Sequence, residues 1–291
     1  MYDDLLFPTD GSDGATAALD HTLDIAAAHD ATVHLLNVAD TARDSVTRIG
    51  GEVIDALEAE GERIVDEASE RASERGVSTE TDVLQGEPYS TIVDYADDRG
   101  VDLVVMPTHG RKGLERFLLG SVTERVVRRA NVPVLTVRPD SAVGYPYESV
   151  LVPTDGSDCA DTALGVGSDT AVAADATLHV LSVVDTASLG VDVRAQLQID
   201  ALEDMAADIV ADAEATATDR GVERVTGTVE FAASIRAAIV EYVDEHDIDL
   251  LVLGTHGRTG LDRYLLGSVT EQLIRTAPVP VLTVRTAGGN E

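Results

Sequence analysis

The sequence predicts two open, doubly wound α/β domains in tandem, each a five-stranded parallel sheet with helices on both faces. Three observations point there. Residues 107–121, PTHGRKGLERFLLGS, return at 254–268 as GTHGRTGLDRYLLGS, and between 107–138 and 254–285 23 of 32 positions are identical without a gap. Short β-branched runs alternate with longer stretches of helical periodicity, the pattern of βαβ units. The strand candidates are apolar almost throughout, as strands covered on both faces must be.

The repeat extends over the whole chain. DDLLFPTDGSDGATAALD (3–20) matches ESVLVPTDGSDCADTALG (148–165), and ATVHLLNVAD (31–40) matches ATLHVLSVVD (176–185), both at an offset of 145. A period of about 140 residues is the size of a domain and too long for a solenoid repeat. Domains are therefore expected over 1–140 and 147–287. PDSAVGYPYE (139–148) is the expected linker, because its two prolines and one glycine break regular structure. Strands are expected at Leu5–Thr9, Thr32–Val38, Thr79–Leu84, Leu103–Met106 and Val134–Val137. The second half supplies Val150–Thr154, Thr177–Val183, Val225–Glu230, Leu250–Leu253 and Val281–Val284. Glu52–Arg75 and Val193–Arg220 carry Ala, Leu, Ile and Val at helical spacing with acidic residues between them, so both are expected to be amphipathic helices.

Composition excludes several partners. The formal charge is −32, from 53 acidic and 21 basic residues. A chain this acidic repels phosphate backbones and anionic membranes, so neither nucleic acid nor a lipid surface is expected to bind it. Lys112 is its only lysine, and an acidic, lysine-poor chain suits very high salt. There the Debye length shrinks to roughly 3 Å and self-repulsion is screened. Cys159 is the only cysteine, so no internal disulfide forms and a reducing cytoplasm fits; at the start of a helix it is expected to pack rather than react. MYDDLLFPTD lacks the basic and apolar regions of a signal peptide, and no apolar run approaches the length of a membrane span. Charge is also uneven. Windows 107–138 and 254–285 together hold eleven basic and four acidic residues against that acidic background.

In doubly wound sheets ligands sit beyond the carboxyl ends of the strands, where strand order reverses. The segments after the first and fourth strands are therefore the candidates: Pro8-Thr9-Asp10-Gly11-Ser12 and Pro153-Thr154-Asp155-Gly156-Ser157, with the two long copies quoted above. The second copy has the form G-x-x-G, nine residues, then G-S. Glycines let a backbone approach a ligand closely, and exposed N–H groups at a helix N-terminus form an anion-binding concavity. Gly254, Gly257, Gly267 and Ser268 would hold a phosphate chain, with Arg258 and Arg263 adding charge. The spacing is neither that of a P-loop nor that of a dinucleotide fingerprint. A structural alternative exists, since SVTE (121–124 and 268–271) reads as a capping box in which Ser121 and Ser268 only start a helix. Asp10 and Asp155 likewise read either as ligand contacts or as turn-forming residues before a helix. No G-x-S-x-G, HExxH or CxxC pattern occurs, and the seven histidines suggest no metal site. His109 and His256 are expected to pack or hydrogen-bond within the loop, because no partner at readable spacing would make either a general base.

LVPTDGS at the start of a unit, GTHGRTGLDRYLLGSVTE within it and PVPVLTVR at its end resemble the universal stress protein (UspA) family in its tandem form, and the resemblance covers both halves almost completely. It implies strand order 3-2-1-4-5, pairing through the last strand, and ATP held between strands one and four, often with a divalent cation such as Mg²⁺ or Mn²⁺. Gly254, Gly257, Gly267 and Ser268 would then bind phosphates and ribose. Pro153, Thr154 and Asp155 would flank base and ribose, and Val183 would meet adenine through its backbone, its side chain staying in the core. The first-half equivalents are Pro8, Thr9, Asp10, Val38, Gly110, Gly120 and Ser121. If the two halves pair through their last strands, one chain makes a pseudo-dimer, and homo-oligomers remain open.

The first half departs from the family's signature. Pro107 stands where the first glycine belongs. Proline has no N–H and its φ is fixed near −65°, so a position needing either would fail. Nucleotide is therefore expected chiefly in the second half. A regulatory or stress-response module that binds ATP without strong turnover is the leading reading. A slow Mg²⁺- or Mn²⁺-dependent ATPase or phosphotransferase and an interaction protein without nucleotide are the alternatives. Hydrolysis would need an oriented water and charge stabilisation; Arg258 offers charge, but the sequence shows no base.

Overall fold

A computed structural model describes residues 2–40, 50–110, 119–141, 144–187, 194–257 and 266–286. The chain divides into two compact units, Met1–Tyr145 and Pro146–Glu291. In the first, the strands are β1 (Asp4–Pro8), β2 (Thr32–Asp40), β3 (Thr79–Gly86), β4 (Leu103–Pro107) and β5 (Val134–Val137). The helices between them are α1 (Asp13–His29), α2 (Gly50–Glu74), α3 (Pro88–Arg99) and α4 (Ser121–Arg129). The sheet order is β3-β2-β1-β4-β5 and every pair is parallel.

The second unit repeats the plan with β6 (Ser149–Pro153), α5 (Asp158–Ala174), β7 (Thr177–Asp185), α6 (Arg194–Asp219), β8 (Val225–Ala232), α7 (Ile235–Glu245), β9 (Leu250–Gly254), α8 (Ser268–Thr276) and β10 (Val281–Val284). Its order is β8-β7-β6-β9-β10, again parallel throughout. The order 3-2-1-4-5 thus holds in each unit. Four strands run two residues further than their sequence pattern indicated, β2 to Asp40, β3 to Gly86, β7 to Asp185 and β8 to Ala232, because parallel pairing continues to Asp40↔Gly86 and Asp185↔Ala232.

Burial explains the sequence pattern. Leu5, Leu6, Val104 and Val105 of the central strands β1 and β4 are at most 0% exposed, as a strand sandwiched between helix layers requires. The edge strand β3 carries Glu80 and Asp82 and is largely open to solvent, which discourages pairing with other chains. Helix α1 buries Ala15, Ala18, Leu19, Ile25 and Ala26 against the sheet and stops at Asp30, whose φ of 55° turns the chain left-handed. Helix α5 stops in the same way at Asp175, with φ 52°. Aspartate tolerates that conformation better than most residues, so each turn forms without glycine. Cys159 is buried, as its packing role required. Among the described residues no helix is long and apolar enough to cross a membrane.

Candidate functional site

The sheet of each unit opens where strand order reverses. In the second unit β6 pairs with β9 only through Val150↔Leu250 and Leu151↔Leu251. Beyond that point the two strands bond outward: Thr154 N–H donates to Leu181 O of β7 at 2.8 Å, and Thr255 N–H to Val284 O of β10 at 2.9 Å. A crevice is left between their carboxyl ends. The first unit does the same, with Thr9 N–H on Leu36 O at 2.9 Å and Thr108 N–H on Val137 O at 3.0 Å.

The turn after β6 forms one wall. Gly156 takes φ 71° and Gly11 the same value, a conformation that side chains rarely adopt. Thr154 Oγ1 accepts from Gly156 N at 3.1 Å, and Asp155 Oδ1 accepts from Ser157 N at 3.1 Å. Thr9 and Asp10 make the corresponding bonds to Gly11 N and Ser12 N. The turn-forming role of both aspartates is therefore real, yet it uses only one carboxylate oxygen. The other, Asp155 Oδ2, lies where a Cβ on Gly257 would come within 2.8 Å; for Asp10 and Gly110 the figure is 2.5 Å. The carboxylate thus reaches across the crevice onto the exposed backbone of the glycine, and any side chain there would collide with it.

The opposite wall is the start of α8. Its N-cap is Gly267, which has no side chain to offer, and Ser268 is the first helical residue. Gly120 and Ser121 stand likewise at α4. The expected capping box does not form. Ser121 and Ser268 lie exposed one position too late to cap, and Glu124 and Glu271 pair with Arg128 at 2.7 Å and Arg275 at 2.5 Å instead. Among the described residues neither N-cap offers a side-chain acceptor to the first-turn N–H groups, and such a helix end suits an anion. The residue that does tie the helix down is the threonine of SVTE: Thr270 Oγ1 donates to Gly254 O at 2.9 Å and Thr123 Oγ1 to Pro107 O at 2.9 Å. Nothing in the one-dimensional pattern distinguished that threonine from the serine before it.

The difference at 107/254 has a cause other than the expected conformational one. Gly254 is not among the described glycines of positive φ, so no conformation reserved for glycine is demanded there. The glycine is required by packing, since a Cβ on it would stand 2.8 Å from Cys159 O and 2.9 Å from Cys159 Sγ. The first unit carries the reverse pair, proline at 107 and glycine at position 14, the counterpart of Cys159. The argument from the missing donor stands. N–H groups alternate sides along a strand, and Thr255 N–H turns to β10, so Gly254 N–H turns to the crevice. Pro107 supplies no such donor.

Val38 and Val183 lie near the ends of β2 and β7, in register with Leu84 and Glu230. Both are half-buried, so their side chains are not the closed core expected of them. They sit near a strand end where solvent enters. Buried Asn37, beside Val38, donates from Nδ2 to Thr9 O at 2.8 Å and fixes the turn after β1. His109 and His256 bond through Nδ1 to Thr108 and Thr255 Oγ1 at 2.9 Å, the loop hydrogen bond expected of them. Arg258 and Arg263 lie outside the described residues. Among the described residues no group of three or more His, Cys, Asp or Glu is placed to hold a metal ion.

Comparison with known proteins agrees with this geometry. The family model described as universal stress protein family matches residues 1–138 and 146–285. A universal stress protein of Mycobacterium tuberculosis is 33% identical over 248 residues, covering 78% of this chain and 78% of its own. One from Methanocaldococcus jannaschii is 38% identical over 141 residues, covering 47% of this chain and 83% of its own. The crystal structure of a universal stress protein from Archaeoglobus fulgidus is similar in fold, with a TM-score of 0.75, 23% identity and 98% of each chain covered. With the family model matched once in each half of a duplicated α/β chain, this protein belongs to the universal stress protein family, in its tandem two-domain form.

Proposed function

We propose that the chain binds an adenine nucleotide, ATP with Mg²⁺ or Mn²⁺, chiefly in its second unit, and acts as a cytoplasmic regulatory module of the stress response. The observation that carries this reading is the pairing of two donor sets across one crevice: the uncapped first turn of α8 and the inward N–H of Gly254. Both suit a polyanion, and neither is satisfied by a side chain of its own. Gly254, Gly257, Gly267 and Ser268 hold the phosphates and ribose in this reading. Pro153, Thr154 and Asp155 flank the base and ribose, and Val183 meets adenine through its backbone. The bare Gly257 lets a ligand come close to the chain beside the Asp155 carboxylate. A divalent cation would be held by the phosphate oxygens of the nucleotide and would neutralise part of their charge.

Pro8, Thr9, Asp10, Val38, Gly110, Gly120 and Ser121 form the weaker first site. It keeps the uncapped helix α4 but lacks the donor that Pro107 replaces. Titration calorimetry with ATP in concentrated KCl tests the reading. One dominant site, lost on Gly257→Val, is expected. Two equal sites would remove the asymmetry, and no binding at all would remove the function.

A further inference from the structure

Away from the crevice, the two units differ in one buried cluster. Strand register fixes the equivalences: His34 pairs with Glu80 and Leu36 with Asp82, whereas His179 pairs with Thr226 and Leu181 with Thr228. In the first unit both ring nitrogens of His34 face acceptors. Nε2 lies 2.9 Å from Asp4 Oδ1, and Nδ1 lies 3.2 Å from Tyr95 Oη. Tyr95 gives its own proton to Asp82 Oδ2 at 2.7 Å, so its oxygen stays free to accept. Arg99 lies over the Tyr95 ring and pairs with Glu80 and Asp82 at 2.8 and 3.1 Å. A permanent cation and three carboxylates surround the histidine.

The second unit keeps the histidine and the tyrosine and changes everything charged. His179 Nδ1 lies 3.1 Å from Tyr242 Oη, whose other partner is the hydroxyl of Thr228 at 3.3 Å. Ser149, Thr226 and Thr228 occupy the places of Asp4, Glu80 and Asp82. His246 takes the place of Arg99, four residues beyond the tyrosine. It stacks on Tyr242 at 3.9 Å and 6°, with its centroid 5.7 Å from that of His179. The two imidazoles thus lie edge-on to each other against one phenol, at an interplanar angle of 72°.

The charged groups around them are few. From β8 comes Glu230, whose proton affinity is raised by burial and then by Glu245 and Glu241 of α7, and lowered by His246. Asp249, in the loop after α7, is engaged with the N–H groups of Glu148 and Ser149. Burial, and then His246, hold His179 below the usual histidine range. The Tyr242 phenol is held above its usual range, first by burial, and keeps its proton.

We propose that this flank of the second unit is a proton-responsive contact: proton uptake by His179, which lies edge-on to His246 against the same phenol, loosens α7 from β7 and β8. Among the described residues nothing corresponding to Asp4 or Asp82 receives the charge at His179, because Ser149 and Thr228 stand in their places. A protonated Nδ1 on His179 also forces the Tyr242 proton onto Thr228, the longer of its two bonds. The charge on His179 is then partly desolvated and lacks a carboxylate partner. The first unit spares itself this conflict by using arginine with carboxylates. The proposal is independent of nucleotide binding, although Glu230 lies in register with Val183.

The test uses the full ¹⁵N-labelled chain at constant KCl. Ring titrations of His179 and His246 are followed by long-range ¹H–¹⁵N spectra from pH 8 to 5. Hydrogen exchange of the Tyr242 and Val243 amides is compared with Leu164 and Ala171 in α5, after correction for intrinsic rates. Protection in α7 should fall at least tenfold more than in α5 between pH 7.5 and 5.5, as His179 takes up its proton. His246→Arg and, separately, Thr228→Asp import the first unit's solution and should flatten the response. Equal pH dependence in α5 and α7, or a response unchanged in both variants, would overturn the proposal.

Discussion

A Cβ built on Gly254 would stand 2.8 Å from the carbonyl oxygen of Cys159, closer than real side chains approach. The contact seats the start of α5 on the end of β9, at the edge of the crevice. It also accounts for a duplicated sequence with glycine and cysteine in one copy and proline and glycine in the other.

Gly254→Ala should therefore destabilise the second unit by about 1–3 kcal/mol, the usual cost of overpacking a close contact. Adding Cys159→Gly removes the 2.9 Å clash with Sγ but not the one with the carbonyl, so it should restore part of that loss. Denaturant melts of the wild type and both variants measure it. Additive losses in the double variant would show that the two positions do not share this contact.

Pro107→Ala separates the donor from the shape. Alanine restores an N–H while keeping a Cβ at a position that already accommodates one. If the missing donor weakens the first site, ATP binding there should tighten by roughly tenfold, the value of one hydrogen bond to a charged group. Calorimetry should then resolve a second site. An unchanged isotherm would mean that the asymmetry lies elsewhere.

Thr270→Val keeps the shape of the side chain but removes its bond to Gly254 O. A loss of about 1 kcal/mol in stability is expected. Nucleotide affinity should fall as well, because the start of α8 is no longer tied to the strand end. Unchanged affinity in a destabilised variant would detach the tether from the site.

His21 is buried on α1, and burial lowers its pKa from 6.5 to about 4. The folded state resists a proton that the unfolded chain accepts. Stability is complete above pH 6.5 and is lost as the pH falls from there to about 4, by about 3 kcal/mol in all. Melts of the wild type and His21→Leu at constant salt should diverge in slope across that window. Parallel slopes would assign the acid sensitivity to other groups.

Much of this was readable in advance. Apolar runs such as Leu5-Leu6-Phe7 and Leu103-Val104-Val105 announce strands buried on both faces, and the spacing from Gly254 to Ser268 announces a loop that opens a helix. The capping box that SVTE offers as an alternative does not form, because S-x-x-E is compatible with two geometries. Capping needs the serine just before the helix, and here Gly267 holds that place. The seam between Gly254 and Cys159 and the approach of His179 to Tyr242 and His246 were out of reach, since Cys159 and His179 lie far from those partners in the chain.

Periodicity and the internal repeat settled by themselves that this chain makes two α/β units with helices on both faces, because strand and helix periods are local properties of the sequence. Only the tertiary structure decided which glycine is glycine for space and which for conformation. It alone showed which threonine ties helix to strand and which histidine lies against another histidine. These depend on how closely elements remote in sequence approach, and that distance is set by packing rather than by any local pattern.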